Sequence, residues 1–300
     1  MSLWIPSGFP AASSTVWAAH RRPRLTRPCP GGDGHHFGTV PDVRELWPTP
    51  RDDVDAAAAY TADARPAPPG RPWLLLNMIA TADGAATDTT GLAGGLGGPG
   101  DRRVFAALRG VADVVLAGAT TVRTERYGPA RPSSEVESQR LARGQAARPR
   151  IAVVSASLRL DPELRLFREA TPDARPILVT TAEALAADTP LHRQIRSLAD
   201  LVVAGEGQVD WRTALSTLRS QMGAEVLLVE GGPTTNSQLV AADLVDELCL
   251  TLSPRLVAGD APRIVGAGHP SSPRPLSVDR VIVDDDFVFL RYLRAAASTG

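Results

Sequence analysis

Apolar residues along this chain follow two different spacings. Between residues 73 and 229, short runs rich in Val, Ile and Leu alternate with segments in which apolar residues recur every three or four positions. The short runs predict buried β-strands, and the periodic segments predict amphipathic helices. The predicted strands cover residues 73–79, 114–116, 151–154, 177–179, 201–203 and 226–229.

The clearest helical pattern lies between the last two of these strands. From Trp211 to Met222, apolar residues recur at spacings of four, three and four, which places them on one helix face. Asp210 is suited to cap the amino end of this helix, and Gly223 is suited to end it. We therefore expect one helix over residues 211–222 whose apolar face packs on a sheet.

The pattern changes after residue 241. Two β-like segments follow, DELCLTLSP and DRVIVDDDFVFLRYL, and Asp284 to Asp286 in the second segment are typical of a turn between paired strands. Alternating strands and helices followed by a hairpin predict an α/β fold. We expect a mixed sheet, mostly parallel with a C-terminal antiparallel hairpin and with helices on both faces.

The first 70 residues differ from the rest of the chain. Residues 1–38 are dense in Pro, Gly and Arg without apolar periodicity, which predicts a partly disordered tail. Residues 43–60 suggest a short helical lead-in, and the segment RPAPPGRP cannot continue a helix. The expected organisation is a tail and lead-in over residues 1–70 and one domain over residues 71–300. Cys29, His35 and His36 lack paired ligand spacing, so no metal site is predicted.

Composition excludes several classes of function. The formal charge is −1 and the arginines are scattered, so neither nucleic acid nor an anionic membrane is an expected partner. The chain has no long apolar run and no signal-peptide pattern, and we expect a cytoplasmic protein. It also contains no lysine, which excludes Schiff-base chemistry, a pyridoxal phosphate anchor and a phosphate-loop lysine. Cys249 lies in an apolar run and is expected to be a buried thiol.

The segment LLVEGGPTTNSQLV joins a predicted strand to a helix through Gly231, Gly232 and Pro233. Glycine lets a phosphate approach the backbone, proline suits the first helical turn, and the free N–H groups of a helix start attract anions. Glu230 lies at the carboxyl end of the strand, where ligands of α/β sheets bind. The segment therefore predicts a phosphate site that uses Thr234, although an ordinary tight turn remains an alternative.

A second junction of this kind is ADVVLAGATTVRTE, in which small residues and Thr121 follow a strand. It is also suited to a phosphate or ribose, and two such junctions in one sheet suggest a dinucleotide. Two ordinary strand-to-helix turns remain the alternative. Gly95, Gly97 and Gly100 form a G-x-G-x-x-G pattern, but it lies far beyond its strand. A mobile loop over a substrate is therefore favoured over a dinucleotide fingerprint.

Four segments together resemble the reductase domain of riboflavin biosynthesis: IATADGA, LAGATTVRTE, IAVVSASL and LLVEGGPT. The resemblance covers roughly residues 73–293. It implies a dihydrofolate-reductase-like fold and an NADPH-dependent reductase of a ribosylaminopyrimidine phosphate or related heterocycle. Family habit also implies a homodimer. The zinc deaminase patterns often fused to this domain are missing from the sequence, so the resemblance is to a free-standing reductase.

The resemblance assigns roles residue by residue. Glu230 and Asp83 are implied to orient the substrate and relay a proton, and Arg109 and Arg131 to bind the substrate. The residues implied to contact NADPH are Ala80, Thr121, Glu125, Ser155, Gly231, Gly232, Pro233 and Thr234. Arg123 and Arg126 are further candidates for a 2′-phosphate.

One position departs from the family pattern. Ala85 follows the Asp-Gly pair, where relatives usually have a basic residue. This departure favours an alternative on the same fold, a reductase of dihydrofolate or another pterin. A non-catalytic NADP-binding protein is the alternative from a different class.

Overall fold

The structure is a computed structural model, and it describes residues 43–266 and 272–295. These residues form one eleven-stranded sheet with helices packed on it. The strands are β1 Val43–Trp47, β2 Arg51–Asp52, β3 Trp73–Thr81, β4 Val114–Gly118, β5 Arg150–Val154, β6 Ile177–Thr180, β7 Asp200–Val203, β8 Val226–Val229, β9 Glu247–Ser253, β10 Leu276–Asp284 and β11 Phe287–Arg294. The α-helices are α1 Ala56–Ala62, α2 Pro99–Val111, α3 Ala119–Thr124, α4 Ser134–Ala142, α5 Arg165–Arg168, α6 Ala182–Ala186, α7 Pro190–Leu198, α8 Trp211–Met222 and α9 Pro233–Ala241.

The sheet is mixed, as predicted. Its strand order is β2-β1-β10-β11-β9-β3-β8-β4-β5-β6-β7. From β9 to β7 every neighbouring pair is parallel, whereas β2, β1, β10, β11 and β9 pair antiparallel at the other edge. The six strands predicted between residues 73 and 229 are all present, and the turn after Asp284 joins β10 to β11.

The predicted helix over residues 211–222 is α8, with the expected ends. The Asp210 carboxylate accepts a hydrogen bond of 3.0 Å from the Thr213 N–H group, which satisfies a free donor of the first turn. Gly223 ends the helix in the left-handed conformation with φ of 69°, where glycine has no steric penalty.

The prediction of a helical lead-in is wrong for residues 43–47, which form β1 rather than a helix. β1 pairs antiparallel with β10, so hydrogen bonds from distant residues decide its conformation. Among residues 43–70, only Ala56–Ala62 is helical, and the Asp55 carboxylate caps it. The predicted tail of residues 1–38, with Cys29, His35 and His36, lies outside the described residues. The domain boundary near residue 71 stays a prediction.

Apolar side chains pack on both faces of the sheet. One cluster includes Tyr60 of α1 and Leu108 of α2, and the other includes Leu215 of α8 and Leu239 of α9, which confirms helices on both faces. Cys249 is a buried free thiol, as predicted. Within the described ranges, no helix is long and apolar enough to cross a membrane.

Candidate active site

Two clefts open at the edge where the parallel strands end. This edge carries the segments that follow β4, β5 and β8, because parallel strands have their carboxyl ends on the same side. The clefts are adjacent, and Thr121 of α3 lines both of them.

The first cleft, here called the hydroxyl cleft, has a volume of about 650 Å³. Its wall is rich in hydroxyl groups, and its charged side chains are Arg123 and Arg159. No carboxylate of the described residues lines it. The hydroxyl groups belong to Thr120, Thr121, Ser155, Ser157, Thr234 and Thr235. A positively charged pocket with many hydrogen-bond donors is suited to a polyanion.

The two glycine-containing junctions meet in this cleft. The Gly118 N–H group donates a 2.8 Å hydrogen bond to the Gly231 carbonyl, so α3 and α9 begin side by side. A Cβ atom on Gly232 would lie only 2.7 Å from Oγ1 of Thr121. Gly231 has φ of +96°, and its peptide bond to Gly232 is cis. Glycine is therefore needed for the backbone conformation of Gly231 and for the close approach of Gly232.

The second cleft, here called the arginine cleft, has a volume of about 580 Å³. The glycine-rich loop of residues 91–98 contributes to its wall, and Glu230 lies in it with a cluster of basic residues. The basic residues are Arg102, Arg109, Arg126, Arg131 and Arg165.

Glu230 is the centre of a buried network in the arginine cleft. Its carboxylate accepts hydrogen bonds from Nε and Nη2 of Arg109 at 2.7 and 2.6 Å. The Tyr127 hydroxyl donates a further hydrogen bond of 2.6 Å to Oε2. The guanidinium also stacks on Phe105, 4.4 Å from the ring centroid. Such contacts from several sides fix the orientation of the Arg109 guanidinium at the cleft wall.

Burial and charge set the protonation of this network. Burial by itself lowers the pKa of Arg109, but the negative charge of Glu230 and its hydrogen bonds outweigh burial and raise that pKa. Burial raises the pKa of Tyr127, and the neighbouring Glu230 charge raises it further. At neutral pH the network therefore contains a charged guanidinium and an intact phenol.

Glu125 has a contact that the sequence pattern did not indicate. Its carboxylate accepts a 2.9 Å hydrogen bond from the Ala93 N–H group in the glycine-rich loop. The Ser253 hydroxyl holds the same loop through the Leu96 carbonyl at 2.8 Å. These contacts position the loop at the wall of the arginine cleft.

Arg131 lies where the arginine cleft opens to solvent. It pairs with Glu169 at 2.8 Å, and Arg165 pairs with the same carboxylate at 2.8 Å. Two guanidinium groups therefore converge on one anion in this part of the cleft. Exposed pairs of this kind are weak, so an incoming anion can compete with Glu169 for them.

Asp83 lies apart from Glu230, in a third cavity of about 380 Å³. Its carboxylate accepts hydrogen bonds from the Thr81 hydroxyl and from the N–H groups of Val257 and Ala258, the last at 2.8 Å. The Thr81 bond is the main cause that lowers the pKa of Asp83, followed by the Ala258 bond. Asp83 thus joins the turn after β3 to the loop after β9.

The structure distributes the predicted site residues over these places. The hydroxyl cleft is lined by Thr121, Ser155, Gly232, Pro233 and Thr234, and the arginine cleft by Thr121, Glu125, Arg109, Arg131 and Glu230. Ala80 is buried near the end of β3, and Gly231 accepts the hydrogen bond from Gly118. Arg126 lines the arginine cleft, apart from Arg123.

Sequence reasoning missed Tyr127, Phe105, Arg159 and Arg165. Phe105 and Arg109 lie four residues apart on α2, a spacing that could have indicated their contact. Tyr127 carried no comparable signal, because its partner Glu230 is 103 residues away in sequence.

The chain is similar to proteins of a known family. The family model of the RibD C-terminal domain matches residues 72–284. Proteins named 2,5-diamino-6-ribosylamino-4(3H)-pyrimidinone 5′-phosphate reductase are similar to the chain. The one from Methanothermobacter thermautotrophicus is 29% identical over 201 residues, covering 66% of this chain and 85% of the relative. The one from Archaeoglobus fulgidus is 27% identical over 195 residues, covering 65% and 86%.

Solved structures share the fold. A pyrimidine reductase-like protein from Corynebacterium diphtheriae has a TM-score of 0.68 at 24% identity, covering 75% of this chain and 92% of that protein. RibD from Acinetobacter baumannii has a TM-score of 0.62 at 19% identity, covering 76% and 59%. The match of the family model over most of the chain shows that this protein belongs to the RibD C-terminal domain family.

Proposed function

We propose that this protein is an NADPH-dependent reductase that transfers hydride to the ribosylaminopyrimidine phosphate of riboflavin biosynthesis. The observation that carries the proposal is the pair of clefts that share Thr121. One cleft suits the phosphates of a dinucleotide, and the other contains a rigid guanidinium and carboxylate for a polar heterocycle. The names of the archaeal relatives, which are reductases of this substrate, support the same conclusion.

The hydroxyl cleft fits a nicotinamide dinucleotide. It lacks acidic side chains among the described residues, and α9 begins there at Gly232 without a side-chain cap, so backbone donors of the first turn remain for a ligand. Thr121, Ser155 and Thr234 would hold the cofactor by hydrogen bonds. The reduced cofactor supplies the hydride when bound, and the protein supplies position and charge complementarity.

The arginine cleft fits a phosphorylated heterocycle. The Arg109 side chain is 26% exposed while it stays paired with Glu230, and it lines the cleft, so we propose that its guanidinium donates to a carbonyl oxygen of the substrate. Glu230 can accept from an amino or amide N–H group of the pyrimidine. Arg131 and Arg165 can bind the phosphate in place of Glu169. Asp83 contributes indirectly, because its carboxylate holds the turn that follows β3.

The decisive experiment follows NADPH absorbance when the purified protein is mixed with the ribosylaminopyrimidine phosphate, with dihydrofolate measured in parallel. Oxidation with the pyrimidine supports the proposal. Buried, apolar Ala85 favours the second candidate, a pterin reductase, and oxidation with dihydrofolate alone would establish it. Binding of NADPH without oxidation by either compound would indicate a non-catalytic cofactor-binding protein.

A homodimer is also part of the proposal, and an apolar sheet face supports it. On β9, β10 and β11, residues paired across the strands share one face and are only half-buried, while most of their sequence neighbours on the other face are buried. The half-buried residues are Leu248, Leu250, Leu252, Val281, Val283, Val288, Leu290 and Tyr292. A contiguous apolar face of this kind is typical of a subunit interface.

Light scattering after size exclusion tests the dimer. We expect the mass of two chains for the unchanged protein and the mass of one chain for Leu250→Asp. Leu141→Asp is the control, because Leu141 is 60% exposed on α4 and away from this face. A one-chain mass for the unchanged protein would overturn the dimer.

The expected compartment is the cytoplasm, where phosphorylated pyrimidines and NADPH occur.

A further inference from the structure

We propose that Arg140 is a positioning residue of the active site, because it fixes the turn of α2 that carries Arg109. Arg140 lies on α4, outside the linings of the hydroxyl cleft and the arginine cleft. The inference rests on the proposed function where it concerns turnover. The placement of Arg109, in contrast, is measurable without any substrate.

The carboxyl end of α2 needs hydrogen-bond donors from elsewhere. The last four carbonyl groups of a helix lack partners inside it, and the helix dipole makes this end negative. In α2 these carbonyl groups belong to Leu108, Arg109, Gly110 and Val111. The Ala112 N–H group donates to the Leu108 carbonyl at 3.3 Å. Side chains from outside α2 bond the other three.

Arg140 supplies several of these donors. Its Nη1 group donates to the carbonyl of Arg109 at 3.4 Å, to that of Gly110 at 3.0 Å and to that of Ala112. Its Nε group donates to the Ala146 carbonyl at 2.9 Å. One guanidinium group therefore ties the last turn of α2 to the segment that follows α4.

Neighbours of Arg140 complete this contact. Nη2 of Arg143 donates to the Gly110 carbonyl at 2.7 Å, and Nε2 of Gln145 donates to the Val111 carbonyl at 3.0 Å. Val136 of α4 lies close to the same turn, since a Cβ atom on Gly110 would be only 3.1 Å from its Cγ1 atom. Every carbonyl group that α2 leaves free thus has a donor from α4 or from the residues just after it.

Arg140 is buried as a cation without a carboxylate among its hydrogen-bond acceptors in the described residues, which are backbone carbonyls. Buried Arg291, in contrast, pairs with Glu247. Burial lowers the pKa of Arg140 to about 10, against the opposing effect of the Asp113 charge, so the group stays charged at neutral pH. The negative end of α2 accounts for a cation at this place.

The turn that Arg140 holds sets the position from which Arg109 reaches the arginine cleft. The Arg109 backbone bonds to Arg140, while its guanidinium lies over Phe105 and pairs with Glu230. The side chain is therefore fixed at both ends. Because a misplacement of about 1 Å can cost on the order of a hundredfold in rate, the backbone end matters for turnover as well.

The first measurement is hydrogen exchange of the Arg109 Nε–H group in the isotope-labelled whole protein, followed by nuclear magnetic resonance without substrate. The absence of its resonance in Arg109→Lys identifies it. Arg140→Lys keeps the charge but loses the planar group that reaches several carbonyls. We expect the exchange to become faster by about tenfold or more, because the turn opens more often. Arg148→Lys is the matched control, because Arg148 pairs with Glu137 of α4 and not with α2.

Turnover separates a positioning role from a purely stabilising one. We expect Arg140→Lys to lower kcat by about tenfold, while the dissociation constant of NADPH stays unchanged. In a protein that already carries Arg109→Lys, the same substitution should lower kcat no further, because its effect passes through Arg109. Arg143→Met, an exposed change that removes one donor to Gly110, should act in the same direction and more weakly.

The outcomes separate this inference from the proposed function. Unchanged exchange at Arg109 in Arg140→Lys would overturn the positioning role. An equal loss of kcat with and without Arg109 would also overturn it, because the effect would then come from the fold as a whole. If Arg140→Lys does not fold, the same measurements on Arg143→Met decide. If the unchanged protein oxidises NADPH with neither the pyrimidine nor dihydrofolate, the proposed function fails, whereas the exchange measurement still decides whether Arg140 positions Arg109.

Discussion

Two buried glutamates of this protein are each held by arginine and by an aromatic hydrogen-bond donor, and they lie at opposite ends of the parallel strands. Glu230 follows the carboxyl end of β8 and is held by Arg109 and the Tyr127 hydroxyl. Glu247 begins β9, at the amino end of the parallel strands. It is held by two hydrogen bonds of 2.9 Å from Arg65 and by the Trp73 indole N–H group, also at 2.9 Å.

The difference between the two networks is access to solvent. Arg291 donates a further hydrogen bond of 2.7 Å to Glu247. Both arginines of this network are closed off from solvent, because the side chain of Arg291 is 5% exposed and that of Arg65 is 3% exposed. Arg109 is 26% exposed in the arginine cleft. The same combination of arginine, carboxylate and aromatic donor therefore joins distant segments at one end of the sheet and presents charge to the arginine cleft at the other. Position in the sheet, rather than residue type, separates the two roles.

The largest expected effect comes from Glu247→Gln. Removing this charge from a closed network leaves the buried guanidinium groups of Arg65 and Arg291 with one carboxylate fewer, although Asp63 stays within 3.6 Å of Arg65 and 3.2 Å of Arg291. We expect the free energy of unfolding to fall by about 3–5 kcal/mol, as for other broken buried ion pairs. Denaturant titration measures this loss, and turnover per folded molecule should stay unchanged. A loss of turnover without a loss of stability would contradict the structural role of this network.

The same network predicts a pH dependence of stability. Burial acts to raise the pKa of Glu247, but the charge of Arg65 and the hydrogen bond from Arg291 outweigh it and lower that pKa. A carboxylate with a lowered pKa contributes stability above its unfolded value of about 4.3, and the contribution is lost as pH falls through the folded value. The free energy of unfolding, measured by denaturant titration between pH 7 and pH 3, should therefore fall less with decreasing pH for Glu247→Gln than for the unchanged protein.

Glu230→Gln tests the network in the cleft. The glutamine keeps the shape but removes the charge that orients Arg109 and that we propose to accept a hydrogen bond from the substrate. We expect kcat to fall about a hundredfold, which corresponds to about 2.7 kcal/mol, while the dissociation constant of NADPH changes little. Steady-state kinetics and cofactor titration measure the two quantities. Unchanged turnover would remove Glu230 from the mechanism.

Replacing the aromatic donors gives a smaller effect and a direct comparison of the two regions. Tyr127→Phe removes one hydrogen bond to Glu230, and we expect kcat to fall about tenfold with nearly unchanged stability. Trp73→Phe removes the matching bond to Glu247 and should lower stability without changing kcat per folded molecule. If both variants lose stability but keep their kcat, the Glu230 network only stabilises the fold, as the Glu247 network does.

Local patterns in the sequence were sufficient for the strands, for α8 and for the two glycine junctions. These features depend on residues that are neighbours in sequence, such as Asp210 with Thr213 or Gly231 with Gly232. The two glutamate networks could not be predicted in the same way. Arg109 is 121 residues from Glu230, and Arg65 is 182 residues from Glu247, so only the folded sheet brings them together.

The error at β1 has the same origin. The segment VRELW forms a strand because β10, more than 200 residues later, offers an edge to which it can bond. Strand formation depends on such partners more than on the segment's own composition. Glu45 in this strand is buried through contacts with Arg280 and Arg51, which the sequence order does not indicate.

Asp83→Asn should have the smallest effect and completes the comparison with a third, exposed carboxylate. Asparagine keeps an oxygen that can accept from the N–H groups of Val257 and Ala258, and Asp83 lies in a different cavity from Glu230. We expect kcat to change by less than about threefold, because the lost interactions are solvent-exposed and lie outside the arginine cleft. Kinetics run beside Glu230→Gln measure the contrast. A fall in kcat as large as that of Glu230→Gln would show that the loop carrying Asp83 moves to the substrate, and that the carboxylate acts in proton transfer rather than through the turn after β3.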